Sequence, residues 1–278
     1  MKKLAKILTA AALCVAALTT FGCGDDKKEA AKAPAGDAPI KIAVTAGPHA
    51  EIMDNVKKLA EKQGLKIEVV EFNDYVTPNV ALFQGEVFAN SMQHRPYLDA
   101  TLQKEPKFDL VEVFKTVNFP MAAYSKTLKK GDAIPDGATI AVPNEPSNQA
   151  RAMLLLAKHN VFTVKDVKMP TIYDIDKNPK NIQLTEAEAP AVPKLLPDVD
   201  AAVINGNFAL DNGLVPSKDA IILESPENNP YVNVVAWNTN EDANKLAAVK
   251  KLDELLHTPE VADYIKKTWP DGEVLPAF

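Results

Sequence analysis

The chain has 278 residues with 31 Lys and Arg against 37 Asp and Glu, a formal charge of −6, and only two cysteines. An acidic chain without a basic patch threaded by aromatics gives no reason to expect a nucleic-acid partner. Both cysteines, Cys14 and Cys23, fall in or at the end of the leader, so no internal disulfide is expected and stability must come from apolar burial.

Lys2, Lys3 and Lys6 precede an apolar run from Ile7 to Leu18, which is shorter than the roughly 20 residues that span a bilayer. Residues 1–22 therefore read as an export signal. Thr20-Phe21-Gly22-Cys23 places a small residue before a cysteine, as at a bacterial lipoprotein cleavage site, although Thr20 stands where Leu is usual. Cys23 is the expected lipidation site, and more than one acyl chain gives stable anchoring to a membrane face. Losing the three signal lysines takes the formal charge from −6 to −9. Residues 23–39, rich in Lys, Asp, Glu, Ala and Pro, lack the large apolar residues a core needs and read as a tether.

From Ile40 onward strand and helix patterns alternate. Ile40 to Val44 reads as a strand; Ala50 to Gln63 as an amphipathic helix with Ile52, Met53, Val56, Leu59 and Ala60 on one face and Gly64 as its stop. Lys66 to Phe72, Val87 to Ala89 and Leu110 to Phe119 are extended runs, with short helices after Pro78 and from Tyr97. The pattern predicts a parallel sheet with covering helices. A second series follows: strand Ala138 to Val142, helix Ser147 to Asn160, an extended stretch at 182–184, a short helix at 191–196, and strands at 201–204, 219–223 and 231–237. Helices 241–256 and 259–268 close the chain.

Two such series predict two α/β lobes, residues 40–122 with 231–278 and residues 123–230, with crossings near Met121 to Tyr124 and Asn229 to Val232. A ligand belongs between them, at the carboxyl ends of the strands. The turn from Val142 to Arg151 suits a small carboxylate. Ser147 is expected to cap the helix, and Arg151, one turn on, offers a guanidinium fork near the helix N-terminus. Asn205 ends a strand, Asn233 sits among Tyr231, Val232, Val234 and Val235, Tyr75 follows the run to Phe72, and His94 is read as a loop residue; with Arg151 they suit a zwitterion. No phosphate loop, nucleophile elbow or His-Glu-x-x-His is present, so no catalysis and no cofactor are expected. The histidines are scattered; His49 and His94 are the pair a zinc reading would use.

Six segments, taken together and in order, carry a resemblance: Glu71-Phe72-Asn73-Asp74-Tyr75-Val76-x-Pro78-Asn79; Gln93-His94-Arg95-Pro96-Tyr97-Leu98; Ala141-Val142-Pro143-Asn144-x-Pro146-x-Asn148-x-x-Arg151; Glu186-x-Glu188-Ala189-Pro190; Ala202-Val203-Ile204-Asn205; and Pro230-Tyr231-Val232-Asn233. They resemble the methionine-binding lipoproteins of the NlpA family, the substrate-binding components of methionine ABC importers. The resemblance implies a two-lobed periplasmic-binding-protein fold of the α/β class that captures methionine, L-methionine above all, in an interlobe cleft. It also implies a permease and its ATPase as partners, with the protein lipid-anchored on the outer side of a bacterial membrane. It assigns Arg151 to the ligand carboxylate, Asn205 and Asn233 to the amino-acid head, Asn148 beside the head, and Tyr75 and His94 to the side chain. Met92 stands where many members carry an aromatic, which leaves open L-methionine, D-methionine or a methionyl peptide. Another amino acid or a metal ion is the alternative cargo.

Overall fold

The computed structural model describes residues 39–240 and 246–278. The signal, Cys23, nearly all of the tether and the expected helical residues 241–245 lie outside the described residues.

The first series runs β1 (Ile40–Thr45), α1 (Pro48–Lys62), β2 (Ile67–Phe72), α2 (Thr77–Phe83), β3 (Ala89–His94), α3 (Arg95–Lys104) and β4 (Leu110–Lys115). The short β5 (Val117–Asn118) leads to β6 (Ala122–Tyr124), which opens the second series. There follow β7 (Thr139–Pro143), α4 (Pro146–Lys158), the small pair β8 (Thr163–Val164) and β9 (Ile175–Lys177), β10 (Gln183–Ala187) and α5 (Val192–Leu195). Then come β11 (Ala201–Ile204), α6 (Gly206–Asp211), α7 (Pro216–Asp219) and β12 (Ala220–Leu223). The chain returns through β13 (Asn233–Asn238), α8 (Leu246–Leu256), α9 (Pro259–Thr268) and β14 (Leu275–Pro276).

Two five-stranded sheets result, ordered β2-β1-β3-β13-β4 and β10-β7-β11-β6-β12. The expectation of purely parallel sheets is corrected here. β1 pairs in parallel with β2 and β3, and β7 with β10 and β11, but β13 and β6 run antiparallel to both their neighbours. The reason is the crossing: β6 and β13 are the strands by which the chain enters a new sheet. A strand arriving at the carboxyl ends of the others has to run against them.

Apolar periodicity explains the packing. Ile42 and Val44 point to one face of β1 with Ile52, Met53 and Val56 of α1, while Ala43 points to the other with Leu82 and Leu98. The C-terminal helices return to this sheet, where Val249, Leu252, Val261 and Ile265 join the cluster around α1. Around the second sheet, Ile140, Val142, Met153, Leu156 and Val203 form a separate cluster. A third cluster joins the two, with Tyr75, Met92 and Tyr97 meeting Ala141, Ile204 and Phe208.

Gly206, at the start of α6, shows how tightly the crossing is packed, for a Cβ there would lie 2.8 Å from the Pro120 carbonyl oxygen. Gly206→Ala should therefore destabilise the protein by roughly 1–3 kcal/mol, as overpacking does. Urea unfolding of the variant with an unchanged midpoint would show that the crossing segment yields freely.

Candidate functional site

The carboxyl ends of β3, β7 and β11 and the amino end of β13 open on one cavity. Tyr75, His94, Asn148, Arg151, Asn205 and Asn233 all line it, so the residues singled out in the sequence are brought together. Met92, Gln93, Tyr97, Phe119, Gly206 and Asn207 complete the wall.

Arg151 is 3% exposed on α4. Its Nε donates to Glu224 Oε1 at 2.9 Å, and its Nη2 donates to Glu224 Oε2 at 2.5 Å and to the Phe119 carbonyl at 2.9 Å. The Tyr231 ring lies 4.4 Å from the guanidinium carbon. The two-pronged fork is thus closed by a carboxylate of the protein, and Nη1 is the arm left without a hydrogen bond among the described residues. Glu224 was not visible as a partner in the sequence, because it lies 73 positions from Arg151. Burial opposes its charge, but Arg151, the Met121 N–H and the Asn229 amide together hold its carboxyl below the ordinary glutamate value.

Ser147 does not cap α4. The helix begins one residue earlier with Glu145 as N-cap, and the Ser147 hydroxyl is buried without a partner. Glu145 Oε2 accepts from Asn148 Nδ2 at 3.1 Å and Oε1 from the Ala189 N–H at 2.8 Å. Burial raises the Glu145 carboxyl above its usual range despite these bonds.

Asn148 is the hub of the head region. Its Oδ1 accepts from Asn205 Nδ2 at 3.1 Å and lies 3.0 Å from His94 Nε2. His94 Nδ1 accepts from the Tyr97 N–H at 3.1 Å, so the proton of the neutral ring sits on Nε2 and is given to Asn148. Both nitrogens are spent and only the ring face and edge remain, with Tyr231 5.1 Å away between centroids. Burial, aided by the Arg151 charge, depresses His94 to about 3, and burial depresses His49 to about 4. His49 is engaged at both nitrogens too, by Thr45 and Asn233, so the zinc reading finds no open ligand atom on this pair. No group of three or more metal-ligating side chains occurs among the described residues.

On the facing side, the Tyr75 hydroxyl donates to Asn207 Oδ1 at 2.6 Å. Burial lifts the Tyr75 phenol well above its ordinary value, which keeps this donor protonated. Two buried amide atoms of the cavity wall have no partner, the acceptor Asn205 Oδ1 and the donor Asn207 Nδ2. Asn207 was overlooked in the sequence, though its place two residues after Asn205, in the first turn of α6, was a usable signal.

Two α/β sheets that meet carboxyl end to carboxyl end across a buried polar cavity define the periplasmic-binding-protein class. The chain belongs to the NlpA lipoprotein family, whose model matches residues 40–278. It is 39% identical over 274 residues, 97% of each chain, to the "D-methionine-binding lipoprotein MetQ" of Escherichia coli K12. Among solved structures it resembles a nutrient binding protein from Burkholderia cenocepacia bound to methionine, with TM-score 0.81, 42% identity and coverage of 86% of this chain and 100% of that one. An ABC transporter periplasmic substrate-binding protein from Coxiella burnetii matches with TM-score 0.79 at 39% identity, covering the same 86% and 100%. No helix among the described residues is long and apolar enough to cross a membrane.

The buried histidines carry a pH signature. Unfolded, each binds a proton below its ordinary value of 6.5, whereas in the fold each stays neutral down to about 4 for His49 and about 3 for His94. The unfolded state therefore holds more protons in this window. Stability is complete above 6.5 and falls as pH drops toward 4, by up to about 1.4 kcal/mol per pH unit per histidine. The raised Glu145 carboxyl acts in the opposite sense, so the comparison is between proteins rather than within one. Thermal melts should show a smaller loss from pH 7 to about pH 5 in His94→Asn than in the parent; equal losses would mean that His94 titrates as in water.

Proposed function

We propose that the mature protein, held at a membrane face through lipidated Cys23, captures methionine between two lobes, residues 40–122 with 231–278 and residues 123–230. It hands the amino acid to an ABC permease and its ATPase and makes or breaks no bond. The observation that carries this reading is the unfilled polar set at one place. Arg151 Nη1, which makes no hydrogen bond among the described residues, and Asn207 Nδ2, buried without a partner, are donors for a carboxylate, and Asn205 Oδ1 is an acceptor for an ammonium. A zwitterion fills all of these at once. Methionine is supported by the names of the relatives and by the apolar lining of Met92, Tyr75 and Tyr97, which offers a polarizable surface to a thioether.

Ligand contact with both sheets would favour the closed arrangement in which Tyr75 reaches Asn207 and His94 reaches Asn148. Asn148, whose amide is consumed within the protein, acts in this account by holding Asn205 and His94 rather than by touching the ligand.

Calorimetric titration of L-methionine and D-methionine into protein unfolded, dialysed and refolded is the test. Saturable one-to-one binding of methionine is expected, weakened at least about tenfold in Asn205→Ala, since a hydrogen bond to a charged group contributes roughly 1.5–3 kcal/mol. Flat traces with both enantiomers from folded protein would exclude methionine as the cargo.

A further inference from the structure

The geometry points to His49 as a positioning residue that fixes which end of the Asn233 amide faces the cavity, making Asn233 a hydrogen-bond donor to the ligand's carboxylate. The inference rests on the methionine-capture reading and deepens it.

His49 enters the site through the turn after β1. Gly47 takes a φ of 75°, which a residue with a Cβ adopts only with strain, and Pro48 then starts α1 with His49 as its second residue. The ring is 4% exposed and packs at 4.6 Å between centroids on Phe119, a wall residue of the cavity. Its Nδ1 lies 2.7 Å from Thr45 Oγ1, and its Nε2 lies 3.2 Å from Asn233 Oδ1. Thr45 is fully buried at the end of β1, and Asn233 begins β13. The relay therefore spans a strand, a helix and the returning strand.

Two proton arrangements suit these distances. In the first, the Thr45 hydroxyl donates to Nδ1, the ring carries its proton on Nε2 and donates to Asn233 Oδ1, and Asn233 Nδ2 is left to the cavity. In the second, the amide is turned over, Nδ2 donates to Nε2, and the ring donates from Nδ1 to Thr45. The second leaves the Thr45 hydroxyl proton without an acceptor, because Oγ1 has no other partner among the described residues and no access to water. A buried donor without a partner carries its full desolvation cost, whereas in the first arrangement the Thr45 and His49 protons are both placed and only Asn233 Nδ2 is left to the cavity. The ring stays neutral because burial disfavours its charged form, so a third, doubly protonated arrangement does not compete. With Asn233 Nδ2 turned inward, three donor groups, including Arg151 Nη1 and Asn207 Nδ2, are available to the ligand carboxylate, and Asn205 Oδ1 is available to the ammonium.

The test pairs calorimetry of L-methionine with nitrogen-detected NMR of labelled protein. His49→Leu should weaken binding about fivefold to tenfold, because the freed amide no longer holds its orientation. His49→Gln, whose amide can place an N–H near Nε2, should stay within about twofold of the parent. In an Asn233→Ala background His49→Leu should cost nothing further, since His49 acts only through Asn233. The parent's His49 should show its proton on Nε2. A proton on Nδ1, or the same loss from His49→Leu in both backgrounds, overturns the inference. If Asn233→Ala binds as tightly as the parent, the assignment of Asn233 to the ligand falls, and the inference with it; if Asn233→Ala loses binding while His49→Leu does not, only the role of His49 falls.

Discussion

A guanidinium and a carboxylate removed from water together fasten the two segments by which the chain passes between its sheets. Arg151 comes from α4 and Glu224 from the residue after β12, and around this pair gather the Phe119 carbonyl, the Met121 N–H, the Asn229 amide and the Tyr231 ring. Phe119 and Met121 belong to the first crossing between the sheets, and Asn229 and Tyr231 to the second. Both crossings are thus fastened to one buried ion pair. Such a pair gives little net stability over an apolar replacement, yet losing one partner leaves the other charge buried and costs roughly 3–5 kcal/mol. Its service here is geometric specificity at the point where the chain changes sheets.

The same pair explains why the cavity is not simply a basic pocket. With Nε and Nη2 of Arg151 turned to Glu224 and Phe119, the guanidinium group left over is Nη1 with its two N–H, and the pair brings no net positive charge. In the capture we propose, recognition rests on oriented neutral groups. The imidazoles of His94 and His49 are held uncharged by burial and serve as fixed donors, and Asn148 spends its amide on His94, Asn205 and Glu145. Hydrogen bonds so preorganised cost no reordering when a zwitterion arrives.

Beneath the site, both sheets use one plan. Each has parallel strands, one arriving antiparallel strand in the fourth place, and a final parallel strand at the edge. The plan directs the carboxyl ends of both sheets to the same place, which is where Asn205 follows β11 and His94 ends β3.

Much of this was legible in the sequence. The period of Ile52, Met53, Val56 and Leu59 and the runs at Ile42 and Val203 specify helices and buried strands, because amphipathicity is a local property. The segments around Tyr75, His94, Asn148, Arg151, Asn205 and Asn233 identify the family and its fold, and all six residues do line one cavity. What the tertiary structure alone decided is pairing. Nothing local in Glu224, His49 or Asn207 marks them as the partners of Arg151, Asn233 and Tyr75, which lie 73, 184 and 132 positions away. The antiparallel sense of β6 and β13 and the release of Ser147 from its capping role likewise follow from where distant segments arrive. Residue type sets what a group can donate or accept; only the folded chain sets which neighbour has already claimed it.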